Sequence, residues 1–338
     1  MRSLLSTLTL VAAVLVAVPA AGPANAVDGP MCQGQPATLV GSGGVTVEGT
    51  EGPDVIVSNG SSVQAHNGDD IICMTEVTGS TYVATDTYDE TYQGLGNGDD
   101  SVTVDSASPD AVLTVYLYAG DDTFVGGPER DVLLRKDPDD VTPSGGDDVI
   151  RTGGGDDVVE IGTDPRSRAG LAATDRVDLG AGDDVLRVLP RGLTQARSLV
   201  GGAGHDTLFV LDGSDGLDID ARHRVVRSGD ESFSGYQGFE TYRALVAGPV
   251  SFVGSARAET LRVSGASRVH ALLGGGRDLL ATSNRVGRVY ARGEAGNDVL
   301  FGAHADDTLL GGRGFDTAHG RGGRDACVAE RERACERR

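Results

Sequence analysis

The chain has 338 residues, with 29 Lys and Arg against 50 Asp and Glu and a net charge of −21. That balance excludes a nucleic-acid binder, which needs a basic footprint, and leaves disorder, solubility or cation binding as uses for the acids. Glycine reaches 51 residues, tryptophan is absent and aromatics make up 4%, a composition too poor in large side chains for a conventional two-layer globule and far above the usual glycine share of about 7%.

The first segment reads as an address. Arg2 is followed by an apolar run from Leu4 to Val18, broken only by Ser6, Thr7 and Thr9, and Ala24-Asn25-Ala26 offers a small-x-small cleavage site. The run is short for a membrane span, and Pro19, Gly22 and Pro23 flank it. Residues 1–26 are expected to be a signal peptide. Residues 27–338 then form one secreted, repetitive unit without a transmembrane anchor.

The repeats begin at GTEGPDVIV (Gly49 to Val57), AHNGDDIIC (Ala65 to Cys73) and LGNGDDSVT (Leu95 to Thr103). A denser block runs over 117–187, through LYAGDDTFV, GGPERDVLL, PSGGDDVIR, TGGGDDVVE and LGAGDDVLR. Within it Asp122, Asp131, Asp140, Asp148 and Asp157 are spaced nine, nine, eight and nine, and Asp175 and Asp184 keep that phase. The spacing predicts continuous winding with one residue deleted near Pro143. GGAGHDTLF (Gly201 to Phe209) holds Asp206, and the pattern then fades over 210–290, which reads as solenoid with eroded turns. LGGGRDLLA (Leu273 to Ala281) precedes four tandem copies over 293–328: GEAGNDVLF, GAHADDTLL, GGRGFDTAH and GRGGRDACV. Their sixth positions are Asp298, Asp307, Asp316 and Asp325, and their eighth are Leu300, Leu309, Ala318 and Cys327.

A fixed nine-residue period has a physical reading. Glycines at positions one, two and four permit positive φ, which bends the chain. Positions seven to nine make a short strand with position eight turned inward. Two repeats close one coil of eighteen residues, and stacking buries what one coil cannot bury alone. The bent turn and the Asp at position six together offer carbonyl and carboxylate oxygens, the ligand type a hard cation such as Ca²⁺ takes.

The tandem G-G-x-G-x-D-x-U-x pattern resembles the hemolysin-type, or RTX, calcium-binding repeat family. The resemblance implies an all-β fold, a right-handed parallel β-roll or β-helix solenoid built from nonapeptide repeats, holding several Ca²⁺ ions between turns stacked on the same side. Carried over, it gives tail sites that use Asp298 with Asp316 and Asp307 with Asp325, with Gly311, Gly312, Gly314 and Gly323 shaping the turns. Upstream it gives Asp122, Asp131, Asp148, Asp157, Asp184 and Asp206, with Gly146 and Gly155. Two ladders are expected there: Asp122, Asp140, Asp157, Asp175, and Asp131, Asp148, Arg166, Asp184. Arg166 puts a cation in the second, and Pro138 compromises the turn of Asp140. Glu129 and Ala305 replace position-four glycines and weaken their turns. The first acid of each Asp-Asp pair, at position five, is expected to face solvent as a turn former. Affinity is expected in the range of roughly 10⁻⁴–10⁻³ M typical of extracellular modules.

Four cysteines allow three connectivities. The local one, Cys32 with Cys73 and Cys327 with Cys335, is expected, closing the two ends of the solenoid. A zinc site or redox pair has no C-x-x-C behind it. No H-E-x-x-H or G-x-S-x-G occurs and the six His are scattered, so a secreted, non-catalytic calcium-binding protein with a structural or interaction role is the first expectation. Extracellular polysaccharide or the cell envelope are its candidate partners. The alternatives are a polysaccharide-active β-helix lyase or hydrolase using the region from Asp212 to Tyr290, and a calcium-dependent adhesin or matrix scaffold.

Overall fold

A three-residue strand turns only one side chain inward, so its apolar residue is buried only if neighbouring coils supply the rest of a core. The structure, a computed structural model describing residues 29–85, 98–118, 120–134, 146–162, 175–189, 198–211 and 216–336, is built on that rule. Among the described residues there is no helix, hence none long and apolar enough to cross a membrane. The segment 1–26 lies outside them.

One parallel sheet of fourteen strands runs the length of the solenoid, from Val47–Glu48 to Arg331–Arg333. The opposite face is divided between two nine-stranded sheets. The N-terminal one runs from Leu39–Val40 to Tyr236–Gln237, and the C-terminal one ends at Ala326–Val328. The chain is therefore a parallel β-solenoid with two walls.

Register alignment stacks like on like inside it. In the long sheet Val83, Val115, Leu133, Val159, Leu186, Leu208, Tyr242, Leu261, Leu280, Leu300 and Ala318 stand opposite one another in succession. The N-terminal sheet answers with Ile56, Ile72, Val102, Phe124, Ile150, Val177 and Leu199. All are buried. Each Leu contributes on the order of 1.5–3 kcal/mol by leaving water. Leu208→Ala, in the middle of the stack, is expected to lower stability by about 2–5 kcal/mol, read as a shift of the urea midpoint in saturating calcium.

Three sequence expectations change here. The coils of 117–187 do not wind every eighteen residues. Thr123–Val125 pairs with Val149–Arg151 and Arg130–Leu133 with Val158–Gly162, which makes those coils 26 residues around. The described pairing takes Asp122 to Asp148 directly. Asp140, Pro138 and Arg166 lie outside the described residues.

The segment after Leu211 also departs from a plain coil. Leu217–Asp220, Val225–Ser228 and Glu231–Ser234 form an antiparallel ribbon at the edge of the C-terminal sheet. The opposite wall changes sheets at this place, and the core is filled by aromatics: Tyr236 and Tyr242 at 6.1 Å between ring centroids, and Tyr242 and Phe252 at 5.3 Å. A chain this short of aromatics places them where the coil geometry fails and a larger volume must be filled.

Both disulfides follow the local pairing, Cys32–Cys73 and Cys327–Cys335. The second ties Ala326–Val328 to the chain beyond Arg331–Arg333, at the last coil. The first does something different from closing an end. Ile72 points into the main core, whereas Cys73 points away and packs with Cys32 and Val57 in a separate small cluster. The hairpin of Met31–Cys32 and Gln35–Pro36 thus lies on the outer face of the wall. There the Gln33 amide donates to Ser101 Oγ and Thr103 Oγ1, both at 2.9 Å.

Candidate metal centre in the stacked turns

The turn glycines allow successive coils to approach closely. Gly314 has φ +138°, and a Cβ there would collide with the carbonyl oxygen of Gly296 in the preceding coil. Only glycine meets both demands. This contact brings position six of each turn beside position six of the next.

The Asp carboxylates then form ladders. In the tail the backbone N–H of Asp298 donates to Asp316 Oδ1 at 2.9 Å, and that of Asp307 to Asp325 Oδ1 at 2.9 Å. These are the pairs expected across eighteen residues. Upstream the expected ladders are replaced by two others. One joins Asp54, Asp70, Asp100, Asp122, Asp148 and Asp175, each N–H donating to the next carboxylate at 2.7–3.3 Å. The other joins Asp131, Asp157, Asp184 and Asp206 at 2.8–3.1 Å. Asp122 therefore partners Asp148, and Asp157 partners Asp184. The longer coils explain the change, because they carry Asp148 past Asp131 to the other edge.

The same pattern reappears beyond Asp206 with glutamates in the aspartate place, broken once at Glu240, whose N–H donates to the Asp206 carbonyl. The N–H of Asp206 donates to Glu240 Oε2, that of Glu259 to Asp278 Oδ1, that of Asp278 to Asp298 Oδ1 and that of Asp316 to Glu330 Oε2. A search for Asp at position six misses Glu240, Glu259 and Glu330. The residue that follows each (Thr241, Thr260, Arg331) opens a strand of the long sheet, a signal that strand phase alone could have given.

In each carboxylate that accepts such a bond, one oxygen is occupied by it. The other is the informative one. Oδ2 of Asp70, Asp184, Asp206, Asp278, Asp298, Asp316 and Asp325 is buried without a hydrogen-bond partner. Its position recurs: a Cβ built on Gly293 would fall on both Asp298 Oδ2 and the Gly311 carbonyl oxygen of the next coil. Gly320 relates in the same way to Asp325 Oδ2 and the Ala334 carbonyl, Gly201 to Asp206 Oδ2 and the Gly238 carbonyl, and Gly126 to Asp131 Oδ2 and the Thr152 carbonyl. Position-one glycine is thus required for a reason besides bending. It leaves a place where a carboxylate oxygen and a carbonyl oxygen face each other.

Two buried oxygens in that relation repel unless a cation or a proton lies between them. The donor set fits Ca²⁺, which accepts carboxylate and backbone carbonyl oxygens together. No three His, Cys, Asp or Glu side chains converge among the described residues, so backbone oxygens must supply much of any cation's shell. Asp307 differs from its neighbours. Its Oδ2 accepts the Ala303 N–H at 2.6 Å and its Oδ1 the Val289 N–H at 2.7 Å, so both oxygens are satisfied within the chain. Asp54 is similar, with Oδ2 accepting from the Thr50 N–H at 2.6 Å and its hydroxyl at 2.9 Å.

The electrostatics agree. Withdrawal from water, and then the neighbouring ladder carboxylates, push Asp70, Asp184 and Asp278 up to about 7 and Asp148 up to about 8. Asp100, Asp157 and Asp206 rise to about 6, again first through burial. Asp131 is pushed furthest, to about 10, by burial and by the charges of Glu129 and Asp157. Glu129 is thus more than a weak substitute for glycine. Fully buried in the same turn, it adds a second carboxyl beside Asp131.

The position-five acids also have partners the sequence did not suggest. They are exposed, as expected, yet the N–H of Asp99 donates to Asp69 Oδ1, that of Asp121 to Asp99, that of Asp147 to Asp121 and that of Asp183 to Asp156, all at 2.9–3.1 Å. These carboxylates reach toward the following coil, whereas those at position six reach toward the preceding one. Adjacent turns are clamped in both directions.

A family model described as RTX calcium-binding nonapeptide repeat (4 copies) matches residues 114–133, 144–163, 198–218, 290–318 and 305–331. No curated protein matches the chain. The matched segments contain the turns of Asp122, Asp131, Asp148, Asp157 and Asp206 and all four tail turns. By these matched segments, and by the stacked parallel sheets they build, the chain carries RTX calcium-binding nonapeptide repeats across residues 114–331.

Proposed function

We propose that the chain is a secreted, non-catalytic module of the extracellular space whose solenoid winds when several Ca²⁺ ions enter the stacked turns. The observation that carries the reading is the recurring pair of a buried, unpartnered Oδ2 and a facing carbonyl at position-one glycine. Secretion is supported by the leader-like composition of residues 1–26 and by two disulfides, which persist in oxidising compartments. A two-walled solenoid tied covalently at its last coil and on the outer face of its first wall suits a structural or interaction role at the cell envelope or in a matrix. The holders proposed for calcium are Asp131, Asp157, Asp184, Asp206, Asp298 and Asp316 on one edge, with Asp70, Asp100, Asp122, Asp148 and Asp325 on the other. The turn of Asp307, satisfied within the chain, contributes less.

The test compares isosteres. Asp316→Asn keeps the oxygen that accepts the Asp298 N–H and removes the charge at Oδ2. It is expected to raise the calcium midpoint of folding by about tenfold or more, as loss of a charged interaction implies. Asp306→Asn, at an exposed position five, keeps its acceptor for the Arg324 N–H and is expected to change the midpoint by no more than about twofold, as surface charges do. Equal effects of the two substitutions would contradict the proposed role of the buried ladder.

A further inference from the structure

The C-terminal sheet carries a feature that calcium binding does not use. Where the antiparallel ribbon replaces a coil, a groove of about 990 Å³ opens along the outer face of that sheet. Arg227 from the ribbon and Arg268 and Arg288 from two neighbouring strands line it, with Arg268 directly opposite Arg288 in register. All three are exposed, and none forms an ion pair among the described residues. Beside them His270 and Tyr290, also paired in register, stack at 5.0 Å between ring centroids and 8° between planes. Asp218 is the one acid in the lining and stands opposite Arg227.

Three unpaired guanidiniums in one groove are unexpected on a chain of net charge −21. Arg268 and Arg288 stand one parallel-strand spacing apart, about 4.8 Å, and Arg227 lies three strands further along the same sheet. A guanidinium presents a planar fork that matches a carboxylate or other oxyanion. A flat, half-exposed ring pair offers apolar area with polar edges, on which the face of a sugar ring can rest. We propose that this groove binds an acidic polysaccharide laid across the strands, its anionic groups on Arg268, Arg288 and Arg227 and a sugar ring on the His270–Tyr290 pair. Nucleic acid is disfavoured, because its denser charge would meet the repulsion of the acid-rich turns on either side.

The reading deepens the extracellular interaction role proposed above, and its test separates the two. Binding of hexagalacturonate is measured by calorimetry in saturating calcium, on full-length protein whose β spectrum has been verified in the same sample, so a negative result speaks only to the groove. Maltohexaose serves as the neutral probe and a short single-stranded DNA as the phosphate probe. The expected result is binding of the acidic hexamer alone, weakened at least about tenfold in Arg268→Gln/Arg288→Gln and weakened also in Tyr290→Ala, with unchanged β spectra. A control pair on the long sheet, Arg243→Gln/Arg262→Gln, is expected to bind like the parent. No binding of the hexamer, equal binding of DNA, insensitivity to the groove substitutions, as calcium bridging would give, or an equal loss in the control pair would each overturn the proposal.

Discussion

In excess chelator at pH 8 the chain is expected to lose most of its β spectrum, and to regain it cooperatively as calcium is added. The magnitude follows from the ladders. Carboxylates one strand spacing apart, about 4.8 Å, repel by roughly 3 kcal/mol at an effective dielectric of about 20. A folded domain commonly has about 5–15 kcal/mol in hand. Even a few ionised neighbours among Asp131, Asp157, Asp184 and Asp206, or along the edge from Asp54 to Asp175, therefore outweigh the net stability of the apolar stack. Calcium removes that repulsion, and because the facing oxygens are brought together only in the wound state, its binding energy becomes folding energy. Far-ultraviolet circular dichroism through a calcium titration reads the transition. A full β spectrum at pH 8 in chelator would count against it.

Acid is expected to do part of calcium's work. The ladder carboxyls have raised folded-state pKa values, up to about 6 for Asp157, about 7 for Asp184 and about 8 for Asp148 against an ordinary 3.8. A group raised in this way contributes stability that is fully present below its unfolded value. That contribution is lost as pH climbs through the folded one. These groups thus stabilise the calcium-free chain fully below about pH 4 and progressively less up to about pH 8. In saturating calcium the slope reverses, because protons then compete with the ion for the same oxygens. Thermal unfolding of calcium-free and calcium-saturated protein at pH 4 and pH 6 is expected to give melting temperatures that move in opposite directions. Parallel movement would show that the buried carboxyls do not exchange protons for metal.

Much of this was legible in the sequence, and the failures have definite causes. The inward residues at position eight, from Phe124 to Leu309, were fixed by the alternation of a strand, which no insertion can change. The tail pairs Asp298–Asp316 and Asp307–Asp325 were readable because four repeats stand there without interruption. Upstream the same counting misled. Counting by nines pairs Asp122 with Asp140, while the coil closes after 26 residues and pairs Asp122 with Asp148. The ladder through Glu240, Glu259 and Glu330 was hidden because a longer side chain fills the same place. The forward contacts of Asp69, Asp99 and Asp121 were hidden because they join coils, and spacing within one repeat carries no trace of them. The antiparallel ribbon over residues 217–234 was hidden for a simpler reason: its short apolar alternations are as compatible with a hairpin as with a coil.

The central claim is that buried carboxylate oxygens exchange protons for calcium as the coils stack. Calorimetric titration of calcium into the full-length chain at pH 7, repeated in two buffers of different ionisation enthalpy, tests it most directly. The expected result is several ions bound per chain, with a heat that differs between the buffers because protons leave the ladder carboxyls as calcium enters. Binding of one ion or none, or a heat identical in both buffers, would contradict it.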